Sequence, residues 1–490
     1  MPRLPLEPGA DRMPVSDSRS LYATVDAEGR LLLPPSVAAR LGLVPGASVT
    51  LDEEPNSIRV RRPLEHLTKL YLEPTSRCNL NCRTCIRNAW EEPLGDMSEE
   101  TFSRIVDGLA QFEPRPSVFF GGFGEPLAHP HILDMVRRVK ARGVGRVELI
   151  TNACLLSATM SRELIEAGLD TLWVSLDGIR PESYSDVRLG ALLPEVLENV
   201  RVFRETRRAL CDCSTLPSQS DLPGWGETSP LADQTAEESG YVHDLALHLA
   251  RENDAAFTPP TGAAAGGSHV PAPELGIAFV AMRRNIADLP SLLWIGNILG
   301  ASRYNVSNVL PYTEELLPQI LYEAALRLSP LPTLWHNFLR LPPMDVNDST
   351  REPLRMVVHG RYEASLSEAD ISGVTRHCPF VEAGSATITW DGDLSPCQAL
   401  THTHVEHIGS QYRRQIERYL VGNVSERSLR ELWMHPEYVE FRRRVQLFDF
   451  APCITCGGCN LSTRNEEDCE GQDFPRCGAC LWSHGLIRCP

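Results

Sequence analysis

Three cysteines, Cys78, Cys82 and Cys85, stand in a C-x3-C-x2-C run, and no close fourth Cys or His follows Cys85. Thiolates are soft ligands that suit iron–sulfur clusters. Three of them leave one iron of a [4Fe–4S] cluster open, whereas a structural zinc normally closes its tetrahedron with a fourth Cys or His. Nine further cysteines lie between Cys378 and Cys489, so most of the 15 fall in two groups rather than being scattered like core thiols. In a long chain read as intracellular, such spacings point to metal or redox sites more readily than to disulfides. Cys154, Cys211 and Cys213 stand outside both groups and read as small buried or incidental thiols.

The second group begins with Cys378 and Cys397, on either side of a strand ending at Trp390 and an Asp391-Gly392 turn. Asp-Gly between strands is a strong hairpin signal, and the hairpin is expected to return Cys397 to the neighbourhood of Cys378. Cys453, Cys456, Cys459, Cys469, Cys477, Cys480 and Cys489 follow after a helical stretch. Two fully ligated [4Fe–4S] clusters need eight thiolates. Cys459 is taken as the spare, leaving Cys378, Cys397, Cys453, Cys456, Cys469, Cys477, Cys480 and Cys489 as candidate ligands. Tetrahedral zinc competes for the paired C-x2-C elements. His377, His402, His404, His407 and His484 read as ordinary surface or satisfied core histidines.

Strands and helices alternate around the first group. LTKLYLEPT is an extended run that ends just before Cys78, and Ser98 is placed to cap a helix whose Phe102, Ile105, Val106, Leu109 and Phe112 recur at helical spacing. The strand SVFF, a helix closed by Gly143, the strand VELITN, a helix to Gly168, the strand TLWVSL and a helix over 194–209 complete four β/α units. Residues 211–273 break the rhythm with Pro, Gly and Ser and with no Lys or Arg between Ala209 and Ala250. They read as a flexible acidic insertion holding a short helix near 241–252. GIAFVAM, LPSLLWIGNILG and YNVSNVL resume the alternation. Six such repeats imply a parallel sheet curled into a partial (β/α)6 barrel of the TIM type, with active-site residues at the carboxyl ends of the strands. The division expected is a flexible tail over 1–17, a small β-rich unit over 18–63, the barrel over 67–311, a connecting region over 312–376 and a Cys-rich domain over 377–490.

The bulk composition narrows the remaining classes. A chain of 490 residues, 42% hydrophobic and 23% charged, is an ordinary globular protein and excludes a wholly disordered, fibrous or coiled-coil one. The longest strongly apolar stretch, 289–301, contains Asn297 and falls short of the roughly 20 residues that cross a bilayer. The first twenty residues carry prolines and acids where a secretory signal would be apolar, so a cytoplasmic location is expected. A net charge of −17 argues against a broad nucleic-acid-binding surface.

The C-x3-C-x2-C run after the first barrel strand resembles the signature of the radical S-adenosylmethionine (SAM) enzymes, and the likeness extends from Lys69 to about Leu310. Gly121-Gly122-Phe123-Gly124-Glu125-Pro126 is similar to the family's GGE segment, where bare backbone lets the SAM amino group dock. Thr151-Asn152-Ala153 resembles its Thr-Asn-Gly, with Ala for Gly. Ser175-Leu176-Asp177-Gly178 resembles the segment that reaches the ribose, and Arg188 is the counterpart of the arginine for the SAM carboxylate. The resemblance implies that Gly121, Gly122, Glu125, Asn152, Ser175, Asp177 and Arg188 bind SAM. It also implies that Cys78, Cys82 and Cys85 hold a [4Fe–4S] cluster, and that reductive cleavage of SAM yields a 5′-deoxyadenosyl radical. The sequence departs from the family at Thr84, where an aromatic residue is usual, and in the spacing around Arg188.

Cys378, Gly392 and Cys397 match the C-x(9–15)-G-x4-C element of the SPASM extension, which carries one or two auxiliary [4Fe–4S] clusters, although the later cysteines are spaced differently. CNLNCRTCIRNAWEEPLGDM, GGFGEPLAHP and NEEDCEGQDFPRCGACLWSHGLIRCP resemble the radical SAM maturases associated with tungsten-containing aldehyde ferredoxin oxidoreductases. That resemblance implies a tungsten oxidoreductase or its pterin cofactor as substrate, and a reducing partner such as ferredoxin or flavodoxin. VDAEGRLLLPPSVAARLGLVPGASVTL is similar to the swapped-hairpin domain of the AbrB regulators and implies a homodimer through 18–63. Two other functions fit the residues. One is maturation of a ribosomally made peptide by a thioether or carbon–carbon crosslink. The other is redox-sensing DNA regulation through Arg30, Arg40, Arg59, Arg61 and Arg62.

Overall fold

The computed structural model describes residues 23–43, 49–54, 57–211, 236–250, 271–323, 344–345, 347–359, 378–408, 412–448, 450–451, 453 and 460–489. The chain divides into two units, Met1–Pro63 and Leu64–Pro490. Among the described residues no helix is long and apolar enough to cross a membrane.

In the first unit, β1 (Thr24–Val25) pairs antiparallel with β2 (Leu31–Leu32), helix α1 (Pro35–Leu41) follows, and β3 (Leu51–Glu54) pairs antiparallel with β4 (Ser57–Val60). The first turn forms because Asp26 accepts from the backbone N–H groups of Glu28 and Arg30, and Gly29 takes φ +80°. The two hairpins are separate two-stranded sheets, and Val25, Leu31, Leu32, Leu51 and Ile58 lie exposed on them. The expected β-rich character is present, in shorter strands than the sequence suggests.

The second unit is built on one nine-stranded sheet. Its strands are β5 (Lys69–Leu72), β6 (Ser117–Phe120), β7 (Val147–Thr151), β8 (Thr171–Ser175), β9 (Glu274–Ala281), β10 (Arg303–Asn308), β11 (Ser385–Ile388), β12 (Asp393–Ser395) and β15 (Gly422–Asn423). The order is β10-β9-β8-β7-β6-β5-β11-β12-β15, and β5 to β10 run parallel throughout. The six-stranded parallel core agrees with the reading of the repeats. A separate hairpin, β13 (His404–Ile408) with β14 (Tyr412–Ile416), lies outside this sheet.

The crossover helices are α2 (Glu99–Leu109), α3 (Ile132–Ala141), α4 (Ala158–Glu166), the short α5 (Pro181–Ser185) and α6 (Leu193–Leu210). Ser98 caps α2 by accepting from the N–H of Thr101, and Phe102, Ile105, Val106 and Leu109 bury the stripe that faces the sheet. α3 and α4 stop before Gly143 and Gly168, both at positive φ.

The short helix expected in the insertion is present, begins earlier than 241 and is docked: α7 (Ala236–Ala250) buries Val242, Ala246 and Leu249, and its neighbour is α8 (Leu289–Ile298). Burying Val242 and Leu249 contributes roughly 1.5–3 kcal/mol each, enough to fix the helix against its neighbour. The connecting region likewise forms α9 (Arg351–His359) beside α8. The Cys-rich domain, with α10 (Pro379–Glu382), α11 (Leu429–Trp433) and α12 (Pro436–Leu447), does not stand apart: β11 pairs parallel with β5 and continues the barrel sheet.

Alternation along the strands assigns the lumen. Lys69, Tyr71 and Glu73, then Glu148, Ile150 and Asn152, then Thr171, Trp173 and Ser175 share the inner face. Polar pairing lines the floor: Lys69 Nζ lies 3.2 Å from Glu148, and Trp173 Nε1 donates to Glu148 at 2.9 Å. Higher up, Ile150, Ser175, Ala278 and Val280 stay partly exposed, so the lumen opens at the carboxyl ends of the strands.

Candidate functional site

The loop from β5 carries Cys78, Cys82 and Cys85 to that open end. Leu80 N–H donates to Cys78 Sγ at 3.4 Å, Asn152 Nδ2 reaches the same sulfur at 3.8 Å, and Arg87 Nε donates to Cys85 Sγ at 3.4 Å. Arg188 Nη1 lies 3.9 Å from Cys82 Sγ. Burial pushes the Cys78 and Cys82 thiols up, and the Arg87 and Arg188 guanidiniums oppose it. Two buried or half-buried cations among three thiols suit an anionic thiolate cluster. The donor set, three soft thiols without a fourth, fits a [4Fe–4S] cluster with one open iron.

The glycine-rich turn after β6 is shaped by the loop beneath it. A Cβ on Gly124 would stand 2.0 Å from Thr75 O and 2.7 Å from Arg77 O, both backbone atoms on the approach to Cys78. Gly122 has φ +98°, and a Cβ there would meet Glu73 Cγ at 2.6 Å. We expect Gly124→Ala to cost about 1–3 kcal/mol by overpacking and to lower iron incorporation. Urea denaturation and iron counting check this; unchanged values for both would show that the loop has slack.

Glu125 is buried and binds three partners: Leu127 N–H at 3.0 Å, Thr151 Oγ1 at 2.7 Å and Asn152 N–H at 2.7 Å. It therefore ties the turn after β6 to the end of β7. Burial nonetheless raises its pKa, against those hydrogen bonds. Ala153 adopts φ 60°, in the left-handed region. That conformation accounts physically for a glycine at this position in the pattern the segment resembles.

Asp177 and Arg188 meet in a buried ion pair, with Arg188 Nη2 2.6 Å and Nε 2.7 Å from Asp177 Oδ2. Asp177 Oδ1 also accepts from Val280 N–H at 2.9 Å. One edge of the guanidinium is thus taken by Asp177, leaving Nη1 on the side of the cysteines. Ser175 ends β8 on the inner face. All seven residues expected to bind SAM thus lie on the loops and strand ends around the cysteine trio. Sequence reasoning missed Arg87 and the buried Tyr184 with its hydroxyl unpaired; Cys154, read as an incidental thiol, has its thiol raised by burial to about 11 beside Glu125 and Arg188. No motif marks Arg87 or Tyr184.

In the Cys-rich domain, the hairpin turn at Asp391-Gly392 forms as expected, with Gly392 at φ +92°. It brings Cys397 to Cys378, and Cys477 and Cys480 join them in one buried group whose charges act on one another. Burial pushes Cys378 up to about 12. Arg414 stands behind the group, donating to Ala479 O at 2.9 Å and pairing with buried Glu406. Despite burial, that pairing holds Glu406 down at about 2. Four thiols beside a cation fit a fully ligated cluster. Cys489 lies beside this group, accepting from Trp482 Nε1 at 3.3 Å and donating to Gln398 Oε1 at 3.2 Å. Cys453 accepts from Arg476 Nη1 at 2.8 Å, and Cys469 is exposed. Cys456 and Cys459 lie outside the described residues.

The profile of the Radical SAM superfamily matches residues 72–216, and that of the SPASM iron–sulfur cluster-binding domain matches 378–460. The chain is 29% identical over 424 residues to the tungsten-containing aldehyde ferredoxin oxidoreductase cofactor-modifying protein of Pyrococcus furiosus, covering 86% of this chain and 96% of that protein. It is 32% identical to the 7,8-dihydro-6-hydroxymethylpterin dimethyltransferase of Methanocaldococcus jannaschii, over 26% of this chain and 27% of that one. Among solved structures, SuiB of Streptococcus suis bound to S-adenosylmethionine covers 80% of this chain and 71% of its own, at 14% identity and a TM-score of 0.46. The chain therefore carries a radical SAM domain, which binds a [4Fe–4S] cluster and SAM, and a SPASM domain for auxiliary iron–sulfur clusters.

Proposed function

We propose that this enzyme matures a tungsten-containing oxidoreductase by modifying its pterin cofactor or its polypeptide. The observation that carries this reading is the likeness to the Pyrococcus furiosus cofactor-modifying protein, which runs through barrel and Cys-rich domain alike and spans nearly all of that relative. When bound, the cluster on Cys78, Cys82 and Cys85 supplies the electron for reductive cleavage of SAM. The chain's own residues do the positioning. Glu125 fixes the turn that would take the SAM amino group, Asp177 and Arg188 hold one another on the segment after β8, and Lys69 pairs with Glu148 at the amino ends of the strands. A ferredoxin or flavodoxin is the reductant we assign. The test uses the tungsten enzyme isolated from a strain lacking this gene, treated with reconstituted protein, SAM and reductant. We expect a mass change in its pterin or polypeptide together with a gain of activity. A tungsten enzyme already fully active and chemically unchanged by the treatment would overturn the assignment.

We assign the first unit to homodimer formation. An isolated two-stranded hairpin is marginal in water, and five apolar side chains on its two hairpins are left exposed. Its Arg30 is held by Asp26 and Glu28, which disfavours phosphate binding at that residue. Removing residues 1–63 should convert a dimer into a monomer in sedimentation, with SAM cleavage retained. A truncated chain that stayed dimeric would refute this role.

A further inference from the structure

One buried polar cluster at the barrel mouth is not used by any residue assigned above. His402, from the Cys-rich domain, lies between two carboxylates: Nδ1 is 2.6 Å from Glu92 Oε2 and Nε2 is 3.2 Å from Glu73 Oε2. His402 and Glu73 are both almost wholly buried, and Trp90 and Phe123 cover the imidazole, the Trp90 ring centroid at 4.0 Å. Burial disfavours the imidazolium, yet hydrogen bonds to the two carboxylates carry His402 up to about 9. It is therefore charged at neutral pH and donates through both nitrogens.

The other oxygen of Glu73 has a different task. Glu73 Oε1 accepts from Phe123 N–H at 3.0 Å, and the Glu73 side chain fills the space that a Cβ on Gly122 would need. Glu73 stands at the carboxyl end of β5, its own N–H bonded to Ile388 O of β11 at 2.9 Å. Glu92 is fixed from the Cys-rich side as well, by Thr403 N–H at 2.9 Å and by Arg418 at 3.9 Å. The line His402, Glu73, Phe123 N–H therefore runs from the Cys-rich domain into the glycine turn after β6. A carboxylate buried beside that turn without a cation would be costly, and His402 is the cation that faces it.

We propose that His402 is a positioning residue for SAM: through Glu73 it holds the Gly122–Phe123 backbone in place, so the Cys-rich domain sets the affinity of the barrel for SAM. The proposal rests on the reading that this turn docks the SAM amino group. Loss of the imidazolium leaves the Glu73 carboxylate buried without the cation that faces it and frees the turn, while the cysteine trio, on another segment of the loop, keeps its cluster.

The experiment uses the full chain, reconstituted anaerobically, and follows reductant-dependent release of 5′-deoxyadenosine against SAM concentration for the parent, His402→Gln, Glu73→Gln and the double variant. For His402→Gln we expect KM for SAM to rise about 10-fold, a size common for coupling between sites, with kcat within about 2-fold and iron content unchanged. Glu73→Gln keeps the acceptor for Phe123 N–H but needs no cation. In that background the His402 substitution should therefore raise KM far less, a non-additivity that the double variant reads directly. An unchanged KM in His402→Gln, or additive effects in the double variant, overturns the proposal. So does a fall in kcat and iron with KM intact, which marks a purely structural role. Should His402→Gln not fold, the Glu73→Gln background decides by the same KM comparison. A parent chain that releases no 5′-deoxyadenosine overturns the SAM reading itself, a separate failure.

Discussion

The chain with Cys78, Cys82 and Cys85 all replaced by alanine releases 5′-deoxyadenosine more than about 100-fold more slowly than the parent, because loss of even an outer partner of a metal ligand costs roughly 10–100-fold. Its iron content falls without vanishing. The buried group of Cys378, Cys397, Cys477 and Cys480 lies in another part of the unit, just before α10, after β12 and in the C-terminal loop, and keeps its own iron. Anaerobic reconstitution with iron and sulfide counting, alongside chromatographic assay of the nucleoside, checks both halves. Nucleoside release at the parental rate would remove the cysteine trio from the chemistry. Complete loss of iron would mean that the two cysteine groups do not fill independently.

The second large effect is on stability. Asp177 is wholly buried and Arg188 nearly so, with their side chains 0% and 13% exposed and 2.6 Å apart. Arg188→Met leaves the carboxylate in the protein interior without its cation, a change that costs about 3–5 kcal/mol. Asp177→Asn combined with Arg188→Met removes both charges while leaving an oxygen to accept from Val280 N–H. It should recover most of the loss, since an apolar or neutral pair of similar volume is often as stable as a buried ion pair. Urea midpoints of the parent, the single variant and the double variant provide the measurement. A single variant as stable as the parent would mean that Asp177 finds another cation or water. A double variant no better than the single would place the cost in packing rather than charge.

How much of this was legible beforehand depends on how local the cause is. Ser98 capping α2, the glycines that stop α3 and α4, and the Asp391-Gly392 turn all act within a few residues, and each lies where short-range pattern predicts it. The cysteine trio, the glycine turn, Asn152 and Asp177 could be read because motif spacing and strand order place them together. The pairing of β11 with β5 could not. It joins two short apolar runs from opposite ends of the unit, and nothing in either run names its partner. α7 could be read as a short helix, but its docking beside α8 could not, since that contact arises only in the tertiary fold. His402 looked like an ordinary histidine because Glu73 and Glu92 come to it only through the tertiary fold. Arg188 and Asp177 were read from two separate segments, and their pairing with one another is a contact that neither segment names.

The parallel seam between Lys69–Leu72 and Ser385–Ile388 bears on how the chain comes off the ribosome. The barrel's first strand emerges early, while the strand that covers its outer edge is made only after the insertion, the connecting region and the first cysteine of the C-terminal group. Until then that edge shows open backbone N–H and C=O groups, the kind of surface on which nascent chains pair with the wrong neighbour. Completion of the sheet and delivery of the last metal-binding thiols thus fall in the same late window of synthesis, and a chain stalled before Ser385 has neither.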